Sequence, residues 1–149
     1  PNVEVVYPVH LSPVVQDCAH RLLGDHPRVH LIAPLDVAQM HNLMARSYLV
    51  LTDSGGLQEE APALGKPVLV LRRETERPEA IAAGTAKLAG VETESIVALT
   101  QELLQGGEAY TRMAHAVNPY GDGKACGRIA DAIAWHFGAV EEKPWSFGE

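Results

Sequence analysis

The sequence predicts an α/β protein, a parallel sheet covered by helices in a Rossmann-like, three-layer arrangement. Three observations lead there. Short β-branched runs alternate with segments whose apolar residues recur at helical spacing. One run, "YLVLT" at 48–52, is continuously apolar, as in a parallel-sheet strand buried on both faces. Capping and breaking residues (Ser12-Pro13, Gly24, Asp36, Gly55-Gly56, Gly65) stand where one pattern gives way to the next.

The elements follow in order. "VEVVY" (3–7) reads as a strand, and Ser12 and Pro13 supply an N-cap and first residue for the helix "PVVQDCAHRLL" (13–23), which Gly24 closes. Asp25-His26-Pro27 turns the chain into the strand "RVHLI" (28–32). Asp36 then caps "VAQMHNLMARS" (37–47), where Val37, Met40, Leu43 and Met44 share a helical face. After "YLVLT", the Gly55-Gly56 pair breaks the strand before the helix "LQEEAPAL" (57–64), which ends at Gly65. "PVLVL" (67–71) is a fourth strand, "PEAIAA" (78–83) a short helix and "TAKLAGV" (85–91) a fifth strand. Three helices follow, over 95–105, 108–116 and 124–137, and 140–149 reads as a loose end.

With 149 residues, 46% of them hydrophobic, the chain has material for one core, so a single domain over 1–149 is expected. A formal charge of −7 disfavours nucleic acid as a partner, because phosphate backbones are held by basic faces. Cys18 and Cys126 are far apart and form no disulfide framework, and neither they nor the seven histidines show metal-ligand spacing; no metal site is expected. No apolar run approaches the ~20 residues of a membrane span, and no basic-then-apolar leader opens the chain. The expectation is a soluble protein of a reducing cytoplasm, with no membrane partner. The chain opens at Pro1, without an initiator Met, and is expected to be part of a longer polypeptide.

In open parallel sheets ligands bind beyond the carboxyl ends of the strands, so the loops after Tyr7, Ile32, Thr52 and Leu71 are the places to search. The third is distinctive. Strand, then Ser54-Gly55-Gly56, then helix is a geometry in which free backbone N–H groups and a helix dipole converge on an anion, and glycine permits close approach. A plain turn capped by Ser54 is the competing explanation. Glu59 and Glu60 lie in the first turns of the following helix, where at most one can easily face the loop; a carboxylate there suits ribose hydroxyls, and stabilisation of the helix dipole is the favoured reading for Glu59. Four of the twelve basic residues, Lys66, Arg72, Arg73 and Arg77, fall just downstream, a local positive field suited to a diphosphate. Together these residues favour a nucleoside diphosphate. In "NPYGDGKAC", Gly121 and Gly123 flank Asp122 before the last long helix, a pattern that an ordinary capped turn also explains.

"LTDSGGLQEEAPALGKPVLVLRRETERPEAIAAGT", with "YPVHLSP" before it and "NPYGDGKACGRI" after it, resembles the C-terminal domain of bacterial non-hydrolysing UDP-N-acetylglucosamine 2-epimerases over nearly the whole chain. The resemblance implies half of a glycosyltransferase-B architecture, with the cleft between two Rossmann-like halves. It implies UDP phosphates on Ser54, Gly55 and Gly56, ribose on Glu60 and a phosphate oxygen on Arg77. It further implies an allosteric UDP-N-acetylglucosamine contact at His10 and a cleft lining from the loop holding Tyr120 and Asp122. The family interconverts UDP-N-acetylglucosamine and UDP-N-acetylmannosamine by eliminating and re-adding UDP, without metal or other cofactor. Its proton-transferring carboxylates and catalytic His lie outside this chain, so no catalytic residue is expected here, the chain alone is expected to be inactive, and a missing N-terminal domain and a homodimeric parent are implied. Family members usually have Asn where Ser12 stands and often an aromatic residue where Met40 stands.

Three rivals share parts of the pattern. The donor-nucleotide domain of a UDP-sugar glycosyltransferase would use the same loop and Glu, and a hydrolysing epimerase would release the free sugar. A phosphoacceptor receiver domain, with Asp53 ending strand three, would need acids after strand one, where Tyr7-Pro8 stands instead.

Overall fold

The computed structural model describes residues 2–147, which divide into two compact units, 2–43 and 44–147. In the first, β1 (Val5–Pro8) and β2 (Val29–Ile32) pair in parallel with Val5 opposite Val29 and Pro8 opposite Ile32. The connection between them is α1 (Pro13–Leu23), the crossover that a parallel pair needs. Ser12 begins this helix through its carbonyl, which accepts from Val15 and Gln16 at 3.0 Å, while its side chain makes no cap. Gly24 keeps a helical φ of −60° and extends the helical bonding to His20, so its closure of the helix does not use left-handed backbone. Asp36 caps α2 (Val37–Arg46) reciprocally: its Oδ1 accepts from the Gln39 N–H at 2.8 Å, and its own N–H donates to Gln39 Oε1 at 3.2 Å.

The second unit holds β3 (Val50–Thr52), α3 (Gly55–Ala63), β4 (Val68–Val70), α4 (Pro78–Ala83) and β5 (Ala86–Leu88), followed by α5 (Thr93–Leu104), α6 (Glu108–Ala114) and α7 (Ala125–His136). Its three strands are parallel in the order β3-β4-β5, with Thr52 opposite Val70 and Val70 opposite Leu88. The strand buried on both faces is β4, not β3: Val68, Leu69 and Val70 are all fully buried, whereas Leu51 is 41% exposed. The reason is position, since β4 is central in its ladder and packs against α3 and α5. Leu69, Ala89 and Leu103 form the core cluster, with Ile96, Leu99 and Met113 packed around it. Tyr48 and Tyr110 stack with centroids 4.2 Å apart, and the Tyr110 hydroxyl donates to the Tyr48 carbonyl at 2.9 Å.

Gly65 terminates α3 as anticipated. Its φ of +66° lets the Lys66 N–H reach back to the Ala61 carbonyl at 3.1 Å, a left-handed ending that a side chain would disfavour. The tail is less loose than its composition suggested: Trp145 and Phe147 lie 4.8 and 5.7 Å from the Arg128 guanidinium of α7. Among the described residues no helix is long and apolar enough to cross a membrane.

Leu69→Ala removes a fully buried side chain from the central strand and is expected to lower unfolding stability by about 2–5 kcal/mol in a urea titration. A loss below about 0.5 kcal/mol would contradict this placement of the core.

Candidate functional site

Because β3 and β4 are parallel and Thr52 sits opposite Val70, the loops leaving both strands begin side by side at one edge of the ladder. The first loop enters α3 through Ser54, and the second carries Thr75, Glu76 and Arg77 into α4. Register therefore starts the two loops side by side, and within them the glycine pair and the arginine meet.

The Ser54 N–H donates to the buried Thr52 hydroxyl at 3.0 Å, and the Ser54 side chain makes no cap on the helix. The turn capped by its Ser54 side chain is thus not what forms. First-turn amides of a helix have no carbonyl one turn back, so those of Gly55, Gly56 and Leu57 lie at the positive end of the α3 dipole. At Gly55 a Cβ would stand 2.6 Å from Glu76 Oε1 and 3.7 Å from Arg77 Nη2, so the missing side chain is what admits these groups against the backbone. At Gly56 a Cβ would meet Glu60 Oε1 at 3.5 Å, which puts the Glu60 carboxylate beside the same loop.

Arg77 is anchored on both sides. Its Nε donates to Glu59 and its Nη1 to the Glu76 carbonyl at 3.2 Å. The Glu59 hydrogen bond raises the guanidinium pKa above its ordinary value, against an opposing effect of desolvation. Glu59, anticipated as a dipole stabiliser, lies beyond the first turn and serves instead as this partner. Glu76 pairs with Arg72 and is held below the ordinary carboxylate range, first by its own backbone N–H and then, against desolvation, by Arg72 and Arg77. Arg73 reaches Glu92 at 3.4 Å with both side chains exposed. Three of the four clustered cations thus face acids, and the broad positive field read from the sequence contracts to the Arg77 fork.

Sequence reasoning missed Gln58 and Thr75. Gln58 is fully buried; its Nε2 donates to the Ser54 carbonyl at 3.2 Å and its Oε1 accepts from the Thr75 hydroxyl at 2.6 Å. Thr75 Oγ1 in turn accepts from the Arg77 N–H at 3.0 Å. The available signal was spacing: Gln58 shares with Ala61 and Pro62 the face of α3 that turns inward, where an unpaired amide would be costly.

Of the remaining candidates, Tyr120 comes to the site. Its half-buried ring lies near Glu59, Arg77, Glu79 and the start of α4, with the hydroxyl closed off from solvent and no well-formed hydrogen bond among the described residues. Desolvation raises its pKa, the nearby Ala80 amide opposes the shift, and Glu79 and Glu59 reinforce it. Asp122 engages Arg128 with both oxygens, at 2.8 and 2.6 Å, and accepts from the Lys124 N–H at 3.0 Å, so it locks the turn before α7. His10 belongs to the first unit, where its Nδ1 accepts from the Ser12 N–H at 3.1 Å. Among the described residues no group of three or more potential ligands could hold a metal.

These features define a Rossmann-like α/β protein with an anion-type loop at the carboxyl edge of a parallel ladder. Residues 1–134 match the family model described as UDP-N-acetylglucosamine 2-epimerase, and the chain belongs to that family. It is 56% identical over 146 residues to the UDP-N-acetylglucosamine 2-epimerase of Bacillus subtilis (strain 168), covering 98% of this chain and 38% of that protein. A crystal structure of UDP-N-acetylglucosamine 2-epimerase superposes with a TM-score of 0.91 at 56% identity, covering 99% of this chain and 40% of that one. A co-structure of S. aureus MnaA with UDP gives a TM-score of 0.88 at 48% identity, covering 97% and 40%. The chain thus spans about two fifths of the length of these relatives, and the α/β Rossmann-like class read from the sequence, half of a glycosyltransferase-B architecture, holds.

Asp122 supplies a pH test. The Arg128 hydrogen bonds, then the Lys124 amide, hold its folded pKa far below the ordinary 3.8, so between the two values the unfolded chain binds the extra proton. Its contribution is complete above the ordinary pKa and is lost as acid approaches the folded one. The stability difference between wild type and Asp122→Asn, from denaturant titrations, is expected to stay constant from pH 7 to about 5 and narrow below about 4. A difference unchanged down to about pH 3 would contradict the assignment.

Proposed function

We propose that the Ser54-Gly55-Gly56 loop holds the diphosphate of UDP, with Glu60 on the ribose hydroxyls and Arg77 on a phosphate oxygen. The observation that carries this is the meeting of two adjacent loops: first-turn amides, the Glu60 carboxylate and Arg77 Nη2 all border the two glycines. A helix N-terminus and a guanidinium fork are the two donor types that fit phosphate, and a carboxylate one turn along fits paired hydroxyls. The UDP in the S. aureus co-structure supports the nucleotide.

The polypeptide to which this chain corresponds interconverts UDP-N-acetylglucosamine and UDP-N-acetylmannosamine. It eliminates UDP from C1 as the C2 proton leaves, then adds UDP back after protonation on the opposite face. Amides at the α3 N-terminus and Arg77 stabilise the charge that the departing diphosphate acquires, which lowers the barrier to C1–O cleavage. The carboxylates that move the C2 proton come from an N-terminal domain, and this chain folds with it as one UDP-binding domain of a cytoplasmic, homodimeric isomerase serving cell-envelope polysaccharides. Tyr120 lines the cleft beside Arg77, and His10 contributes to an allosteric UDP-N-acetylglucosamine contact.

Calorimetric titration of UDP into the chain tests the site. Wild type is expected to bind saturably, with Arg77→Ala weakening the affinity by about tenfold or more and Glu60→Ala by a similar factor. A folded chain that takes up no UDP, or variants that bind as wild type does, would contradict the reading.

A further inference from the structure

We infer that Gln58 and Thr75 are positioning residues that set where Arg77 presents its charge to the diphosphate, an inference that rests on the reading above. The three hydrogen bonds through these side chains permit only one arrangement of protons. The Ser54 carbonyl can only accept, so the Gln58 amide must present Nε2 to it and Oε1 to Thr75. The Arg77 N–H can only donate, so it takes a lone pair of the Thr75 hydroxyl, and the hydroxyl proton is left for Gln58 Oε1. A chain of defined polarity therefore runs from the Arg77 amide through Thr75 and Gln58 to Ser54.

Its two ends are the backbones that carry the site. Ser54 is the residue from which α3 and its amides begin, and Arg77 occupies the N-cap of α4 with φ −122° and ψ 58°, outside helical geometry. Neither loop is regular structure, so no strand or helix ladder fixes one against the other beyond β3 and β4. Gln58 does so from a position without solvent, where water cannot replace a lost partner. From the Arg77 backbone so placed, the side chain returns to Glu59 and sets Nη2 against Gly55. Gln58 and Thr75 act through Arg77 and the loop backbone, not on the nucleotide.

The test compares Thr75→Val, which removes both hydroxyl bonds at nearly constant volume, with Thr75→Ser, which keeps them. Gln58 is avoided because a change at a fully buried amide endangers folding, whereas Thr75 is only half-buried. UDP is titrated calorimetrically into each, in the wild-type and Arg77→Ala backgrounds. Thr75→Val is expected to weaken UDP binding about tenfold and Thr75→Ser by less than about twofold. In the Arg77→Ala background Thr75→Val is expected to change affinity by less than about twofold, because the group it positions is gone. Equal losses from Thr75→Val in both backgrounds would mean general loosening of the loop, and no loss in either would mean an idle contact; both overturn the inference. Wild-type protein that binds no UDP overturns the diphosphate reading itself and the inference with it, a pattern distinct from wild type and Thr75→Val binding alike.

Discussion

The buried carboxamide of Gln58 is the contact on which the geometry of the site depends. It lies where water does not reach, and each end has one partner, Ser54 on one side and Thr75 on the other. Leaving either end unpaired would cost about 1–3 kcal/mol, a large share of a domain's net stability, so the two loops hold their separation. Register supplies the coarse alignment of β3 with β4, and the amide supplies the fine one. Dihedral freedom at Gly55 is not the issue there, because no positive φ is required; the missing Cβ is what lets Glu76 and Arg77 close against the loop.

A chain of net charge −7 can still offer the proposed anion site, and local electrostatics is the reason. Glu59, Glu60 and Glu76 surround the loop, and left unpaired they would repel a phosphate. Glu59 is matched by Arg77 and Glu76 by Arg72, and the Glu60 carboxylate lies beside Gly56. The attraction that remains comes from fixed backbone dipoles and from the guanidinium fork, both short-ranged and directional. Such a site selects by geometry and not by net field, in keeping with a nucleotide whose phosphates sit at one defined place. Arg77 already has an acidic partner, so under the proposed reading a phosphate at this loop would share or displace Glu59 without leaving the guanidinium bare.

Much of this was legible in the sequence because the local rules are strong. Pro13 at a helix start, Asp36 at an N-cap and Gly65 past a helix end each satisfied a backbone requirement that few residue types meet, and α1 and α4 appear over the residues the patterns marked. The glycine pair and Arg77, singled out in the sequence, come together in the structure. What escaped was what depends on the third dimension. Which strand is buried on both faces follows from strand order, and "YLVLT" and "PVLVL" look alike as strings. The Glu59–Arg77 pair and the Gln58–Thr75 bridge join residues whose proximity only the two adjacent loops create, and the Arg72–Glu76 pair depends on how the second loop folds back on itself. Asp122 was legible as a turn residue, yet its double engagement by Arg128 required knowing how α7 leaves that turn.

The most direct test of the account is a crystal structure of the chain with UDP. The account predicts diphosphate oxygens within about 3.2 Å of the Gly55 and Gly56 amides and of the Arg77 guanidinium, with the Ser54–Gln58–Thr75–Arg77 hydrogen bonds intact. A nucleotide bound elsewhere, or one seated at the loop only after those bonds have broken, would contradict it.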